Sequence, residues 1–360
     1  MKISRSESFF SRLLLQWDQH ENFRTMPWKF EKDPYKIWLS EIILQQTRVE
    51  QGLAYYERFI NEFPDVQKLA IAPETMVMKM WEGLGYYSRC RNLLATARHV
   101  TDKLHGQFPD TYHGLVQLKG VGPYTAAAIA SFAFGLPHAV VDGNVIRVLS
   151  RVFGIDNPWD TTEGKKIFEA LANKLIDKKE PGRYNQAIMD FGATICKPRN
   201  PDCENCPFSK KCTALLQERI EDLPLRSKKI KVKERWFYYV ICNYQNGIYI
   251  RKRTSKDIWQ HLHEFVLIEQ NISFAPEKIL QQQALKKMLS MPYEKKHISA
   301  WQTQKLTHQT IHSCFVELEI CKPLESQAYF WADKNSLQQF AFPRTIIKYL
   351  QQRDTGFMAL

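Results

Sequence analysis

Cys196, Cys203, Cys206 and Cys212 are separated by six, two and five residues. No other feature narrows the possible folds as much. Four thiolates so close along a chain can wrap one compact metal centre and little else. The pair Cys203 and Cys206 by itself would suit zinc, but zinc sites are usually assembled from two separated pairs and only one is present here. The remaining cysteines, Cys90, Cys242, Cys314 and Cys321, are scattered through core-like segments. That usage suits a reducing compartment with a single metal site, not a disulfide scaffold. Lys197, Arg199, Lys210 and Lys211 intersperse the cysteine loop with cations that can meet a phosphate backbone.

From Ser8 to about Ile220, a stretch that includes the cysteines, apolar residues recur at helical spacing, punctuated by Pro64, Pro73, Pro109, Pro123 and Pro137. Strand-like alternation is nearly absent there. The texture changes at Leu223 to Arg235, a polar and basic stretch without periodicity that reads as an interdomain linker, placed at 224–233. Beyond it, Trp236–Cys242 and Ile248–Ile250 are aromatic and β-branched runs joined by Gln245-Asn246-Gly247, a hairpin signal. Phe265–Glu269 and Cys314–Ile320 read as further strands, with helices near Pro276–Leu289 and Arg344–Gln352. A mainly α domain over 1–223 is therefore expected to precede an α+β domain over 234–360. Lysine and arginine outnumber aspartate and glutamate by 50 to 38, a net +12 at a pI near 9.2. The surplus divides as +7 before residue 234 and +5 after it, so both parts could face nucleic acid. No stretch approaches the roughly 20 apolar residues needed to span a bilayer, and the early run Leu13–Leu15 sits inside a helical pattern, which argues against an anchor or signal peptide. A cytoplasmic monomer is expected.

Between the helical segments Thr111–Leu118 and Tyr124–Phe134 lies Lys119-Gly120-Val121-Gly122-Pro123. Gly120 and Gly122 permit close backbone approach, and Pro123 suits a first helical turn. Such a turn can hold a DNA phosphate on its amides without reading sequence. Asp142 then precedes a helix with apolar Val145, Val148, Leu149 and Val152, which makes it an N-cap, a catalytic carboxylate, or both. Glu41 stands within an apolar helical run, Ile37 to Val49, where a dry pocket would raise its pKa. Cleavage of a glycosidic bond through an oxocarbenium-like state needs one such acid and one ionised carboxylate.

Taken together, Leu39-Ser40-Glu41-x-x-Leu44-Gln45-Gln46-Thr47, Trp81-Glu82-Gly83-Leu84-Gly85-Tyr86-Tyr87, the glycine turn, Val141-Asp142-Gly143-Asn144 and the cysteine loop resemble the adenine DNA glycosylase family over about residues 8–223. The cysteine spacing matches the four-iron four-sulfur loop of the endonuclease III superfamily, to which that family belongs. The resemblance implies a mainly α helix-hairpin-helix DNA glycosylase fold with an iron-sulfur cluster loop, followed by an α+β Nudix-like C-terminal domain. It implies that Glu41 protonates the departing adenine and Asp142 stabilises the cationic sugar, while Tyr124 and Asn144 hold them in place. Gln46 and Tyr86 would fill the stack left by the extruded base, and Arg24, Trp28 and Asp190 would surround that base. Endonuclease III places a Schiff-base lysine where this chain has Tyr124. Tyrosine cannot form that imine, so base removal without an efficient lyase step is expected; Lys119 falls on the wrong side of the turn.

In the C-terminal domain the family reads 8-oxoguanine opposite the adenine through a loop with a Phe-Ser-His core. The corresponding segment here is Leu306-Thr307-His308, where leucine can still wedge and threonine can still hydrogen-bond; His312, four residues on, is an alternative anchor for that alignment. Arg251-Lys252-Arg253 agrees with a Nudix-like placement, and the clustered glutamates of a Nudix hydrolase are missing. The expected partner is double-stranded DNA with adenine opposite 8-oxoguanine or guanine, and the expected cofactor a 4Fe-4S cluster held by the four cysteines. Competing readings are a lyase of the endonuclease III type and a catalytically silent DNA binder.

Overall fold

The computed structural model describes residues 8–227 and 232–353, so 228–231, within the expected linker, lie outside the described residues. Two compact units are formed, 1–71 with 92–229 and 72–91 with 230–360. The second unit thus takes in a short piece of the helical half of the sequence.

Before residue 228 the described chain forms α1 (Ser8–His20), α2 (Pro34–Leu44), α3 (Val49–Glu62), α4 (Val66–Ile71), α5 (Glu74–Met80), α6 (Tyr87–Lys103), α7 (Tyr112–Val116), α8 (Pro123–Phe132), α9 (Gly143–Phe153), α10 (Thr162–Leu175), α11 (Pro181–Thr194) and α12 (Thr213–Leu216). The pattern that makes α9 is typical. Asp142 caps its start, Val145, Val148, Leu149 and Val152 form its buried stripe, and Gly154 ends it in the left-handed region at φ 66°. In α8 the run Thr125–Ser131 is wholly buried; its alanines let α2 pack closely against it. The core of the first unit joins α1, α9, α10 and α11 to the cysteine loop. Phe208, inside that loop, is fully buried and stacks on Phe10 of α1 with ring centroids 4.7 Å apart. Burying a phenylalanine contributes about 1.5–3 kcal/mol, so the loop is anchored by packing.

The second unit is built on a mixed sheet: β1 (Lys233–Tyr244), β2 (Gly247–Lys252), β3 (His263–Glu264), β4 (Val266–Gln270), β5 (Tyr293–Ile298), β6 (Gln302–Lys305), β7 (Gln309–Ile320) and β8 (Phe330–Asp333). The main path runs β3-β2-β1-β7-β5, with β4 beside β1, β6 beside β7 and β8 beside β2. The long central strands β1 and β7 pair in parallel from Lys233↔Gln309 to Asn243↔Glu319. The expected hairpin is present as β1 and β2, closing at Tyr244↔Gly247. The single helical stretch read near Pro276–Leu289 is two short helices, α13 (Pro276–Ile279) and α14 (Gln283–Met288), whose Ile279 and Leu285 are buried against β1 and β7. The last helix, α15 (Arg344–Gln352), stacks Tyr349 on Phe315 at 4.0 Å.

Candidate active site

The starts of α8 and α9 and the interiors of α2 and α11 meet at a single cleft of about 590 Å³. Asp33 caps α2 by accepting the Tyr35 N–H, and Pro34 fills its first turn. Because Tyr35 and every residue from Ile37 to Ile43 are buried, α2 is a core helix. Glu41 is therefore a carboxyl in the interior, 8% exposed. The glycine turn brings α8 to the opposite side of the cleft: Gly120 lies at φ +80°, and a Cβ there would stand 2.7 Å from Cβ of Asn92. Only glycine meets both demands. Tyr124 follows in the first turn of α8 and Asp142 sits at the head of α9, so Glu41, Gly122, Tyr124, Asp142 and Asn144 line the same cleft.

The two carboxyls differ in their surroundings. Burial pushes Glu41 up to about 7, opposed by the Tyr124 hydroxyl that bonds it and reinforced by the nearby charge of Asp142. Burial also raises Asp142, but its Oδ1 accepts the Val145 N–H at 2.8 Å and its Oδ2 accepts from Asn144 Nδ2 at 3.0 Å. Arg147, which donates to Asn144 Oδ1 at 2.9 Å, adds a favourable charge. The cleft therefore holds one carboxyl whose protonated form is favoured by burial and a second whose two oxygens are both met by hydrogen-bond donors. Tyr124, pushed well above its ordinary range by burial, keeps its proton beside Glu41, with its oxygen 3.3 Å from Met189 Sδ.

Arg24, Trp28, Gln46 and Asp190 line this cleft too. Asp190 is fully buried and accepts from Arg24 Nη1 at 2.9 Å, Gln186 Nε2 at 3.0 Å, Asn22 Nδ2 at 3.0 Å and Lys29 Nζ at 3.3 Å. Trp28 packs edge-on against Tyr56, centroids 5.3 Å apart. Sequence reasoning overlooked Asn22, Lys29, Gln186 and Met189. The spacing of Gln186 and Asp190, one turn apart on α11, was a usable signal; Asn22 and Lys29 come from an irregular loop that carries none.

Gln46 is exposed at the end of α2 with φ 55°. Tyr86, in the second unit, is 45% exposed with φ 47°. Non-glycine residues seldom adopt this conformation, and it concentrates at functional sites. The hydroxyl of Tyr86 is 2.7 Å from Thr307 Oγ1. Leu306, Thr307 and His308 form the tight connection between β6 and β7, closed by the Leu306 N–H to Gln309 carbonyl bond at 2.7 Å, with Thr307 and His308 exposed. His312 instead lies within β7, stacked on Trp236 at 5.0 Å and bonded to Thr303 Oγ1 at 3.1 Å. It is thus held to the sheet, away from the loop tip. Arg251 and Arg253 turn inward to a fully buried Glu264, and Arg253 also meets Asp257 at 3.1 Å.

Cys196, Cys203, Cys206 and Cys212 line one small, mostly apolar pocket with Val152, Phe191, Ile195 and Leu215. All eight cysteines are unpaired. Burial pushes the Cys206 thiol up to about 12, so ionising that thiol in place requires cationic compensation. Arg151 lies 3.6 Å from Cys196 Sγ and binds the carbonyls of Lys197 and Pro198 that hold the loop. Four soft donors around a dry pocket beside a guanidinium fit a metal-sulfur group better than a hard cation.

Residues 39–178 match the model of the HhH-GPD superfamily of base excision DNA repair proteins, and 237–352 match a NUDIX domain. The chain is 37% identical to the adenine DNA glycosylase of Buchnera aphidicola subsp. Baizongia pistaciae over 71% of its own length and 73% of the relative's. With the adenine DNA glycosylase of Buchnera aphidicola subsp. Schizaphis graminum it shares 32% identity over 95% and 98%. With that of Homo sapiens it shares 43% over 59% of this chain and 40% of the relative. Among solved structures, a thermostable thymine-DNA glycosylase superposes at a TM-score of 0.55 and 30% identity, covering 59% of this chain and 98% of that one. A non-covalent endonuclease III–DNA complex, at 0.52 and 21% over 61% and 99%, shares the fold. The helix-hairpin-helix fold and the Nudix-like α+β domain expected from the sequence are both present.

Proposed function

The chain belongs to the adenine DNA glycosylase family of base excision repair, and we propose that it removes adenine paired with 8-oxoguanine or guanine by hydrolysis alone, without cutting the strand. The observation that carries this reading is the asymmetry of the two carboxyls in one cleft. The extruded adenosine enters with its base toward Glu41 and its sugar toward Asp142. Glu41, near half-protonated at neutral pH, gives its proton to a ring nitrogen of the base. The C1′–N9 bond breaks, its electron pair leaves with the base, and the positive sugar is stabilised by the carboxylate of Asp142, which lines the cleft. Water then bonds to C1′ and its spare proton returns to Glu41. Tyr124 and Asn144 position the two carboxyls, and Arg24, Trp28 and Asp190 frame the base.

Residues 1–223 carry this chemistry on our reading, 224–233 connect, and 234–360 recognise the opposite base. Gln46 and Tyr86 occupy the emptied stack, Gly120 and Gly122 hold a backbone phosphate, and Leu306, Thr307 and His308 meet the 8-oxoguanine. The Tyr86–Thr307 bond supports a joint role for the wedge and the reading loop. Cys196, Cys203, Cys206 and Cys212 would hold a 4Fe-4S cluster, which when bound cross-links the loop and supplies charge to it. With Tyr124 at the hairpin there is no amine at that position to form an imine, which supports a monofunctional enzyme.

The test is to incubate the protein with duplexes bearing adenine opposite 8-oxoguanine and size the strands with and without hot alkali. Strand scission only after alkali is expected. Scission without alkali would replace this reading with a lyase, and intact strands in both halves would remove the enzyme reading altogether.

A further inference from the structure

Trp28, Glu41 and Gln186 each face two cavities. Behind the nucleotide cleft lies a second cavity of about 270 Å³, entirely within the first unit, and these three side chains line both. Its other walls include the aromatic rings of Phe30 and Phe132 and the Ser40 hydroxyl. The charged groups around it already have partners. Arg183 binds Asp18 at 2.9 Å and Glu180 at 3.4 Å, Lys29 binds Asp190 at 3.3 Å, Lys32 donates to the Phe132 carbonyl at 3.0 Å, and Lys36 meets Glu31 at 3.5 Å. A charged ligand would have to break those pairs. A neutral planar heterocycle would not, and it could stack on the rings.

This inference rests on the glycosylase reading. In that reaction the base is cut from a sugar that stays in the cleft, so the abasic strand closes the way by which the base came. Trp28, Glu41 and Gln186 stand between the two cavities, and side chains change rotamer far faster than backbone segments rearrange. We propose that the second cavity receives the released adenine, which passes Trp28 and Gln186 into it and leaves between Phe30, Lys32 and Arg183 while the abasic product is still bound.

The experiment uses the full-length protein and a duplex whose target nucleotide carries 2-azidoadenine opposite 8-oxoguanine. Excision is read by alkali on one part of the sample. The other part is irradiated while product is bound, and the labelled residues are mapped by mass spectrometry. The expected result is excision together with label on Phe30–Lys32 and Glu180–Arg183, and a large loss of that label in Phe30→Ala, an exposed side chain whose removal leaves single-turnover excision unchanged. Excision with label confined to Leu44–Val49, or with no protein label, overturns the back route and leaves the glycosylase reading standing. Failure to excise adenine itself from a parallel unmodified duplex overturns the reading on which the inference depends.

Discussion

The cleft around Glu41 and the hairpin tip at 306–308 represent opposite ways of placing a functional side chain. In the cleft, each carboxyl is enclosed. Glu41 sits in a helix buried along its length, and Asp142 has both oxygens engaged by Val145 and Asn144. At the hairpin tip, Thr307 and His308 are exposed, and one bond from Tyr86 to Thr307 supplements the turn. Chemistry that depends on a displaced pKa needs a dry, fixed environment. Recognition of a partner arriving from solvent needs exposure, and completes its geometry on binding.

The comparison is broken most forcefully at Glu41. Glu41→Gln keeps shape and removes the proposed proton donor, and the excision rate is expected to fall by about 10²–10⁴-fold in single-turnover assays while duplex binding persists; an unchanged rate would eliminate Glu41 as the acid. Asp142→Asn separates cap from charge. Asparagine caps about as well, so thermal stability should hold while excision drops by roughly 10²–10³-fold.

A third test uses pH. Glu41 must be protonated, so activity should decline as pH rises through about 7. Asp142 must be ionised, and because burial raises it, the acid limb should lie above the ordinary aspartate range. A rate profile flat from mildly acidic to alkaline pH would remove both assignments. The same burial has a cost to folding. The folded protein holds the Glu41 proton to about 7, against 4.5 for an ordinary glutamate. Stability is therefore lost as pH rises between those values, and the full penalty remains above them. Glu41→Gln should thus be more stable than the parent by up to about 3 kcal/mol at pH 8, with no gain at pH 4. Equal denaturation midpoints at both pH values would show that the carboxyl is solvated.

The smallest effect is expected at the hairpin. Thr307→Ala removes one hydrogen bond from an exposed position, worth about 0.5–1.5 kcal/mol. It should weaken binding opposite 8-oxoguanine by severalfold without altering the alkaline limb of the pH profile. A shift of that limb would mean that the two regions are not independent.

Much of this was legible along the chain because its signals are local. The cysteine spacing, the glycine turn before Pro123, the cap at Asp142 and the hairpin at Asn246-Gly247 each occupy a few consecutive residues. They pointed to two domains of the right classes and to Asp142, while Glu41 stood out as an acid within the apolar run Ile37 to Val49. The single helix read near Pro276–Leu289 is interrupted at Leu280–Gln282, where packing of Ile279 and Leu285 on the sheet outweighs continuity. Tertiary structure alone decided what depends on residues far apart. Glu41 reaches about 7 because α8 and α9 close over it. Asp190 is bonded by Asn22, Arg24 and Lys29, more than 160 positions away. Residues 72–91 belong with the C-terminal unit, and Trp28, Glu41 and Gln186 stand between two cavities. Burial, pairing and cavities are properties of neighbours in space, and one-dimensional order records only which residues are available to become them.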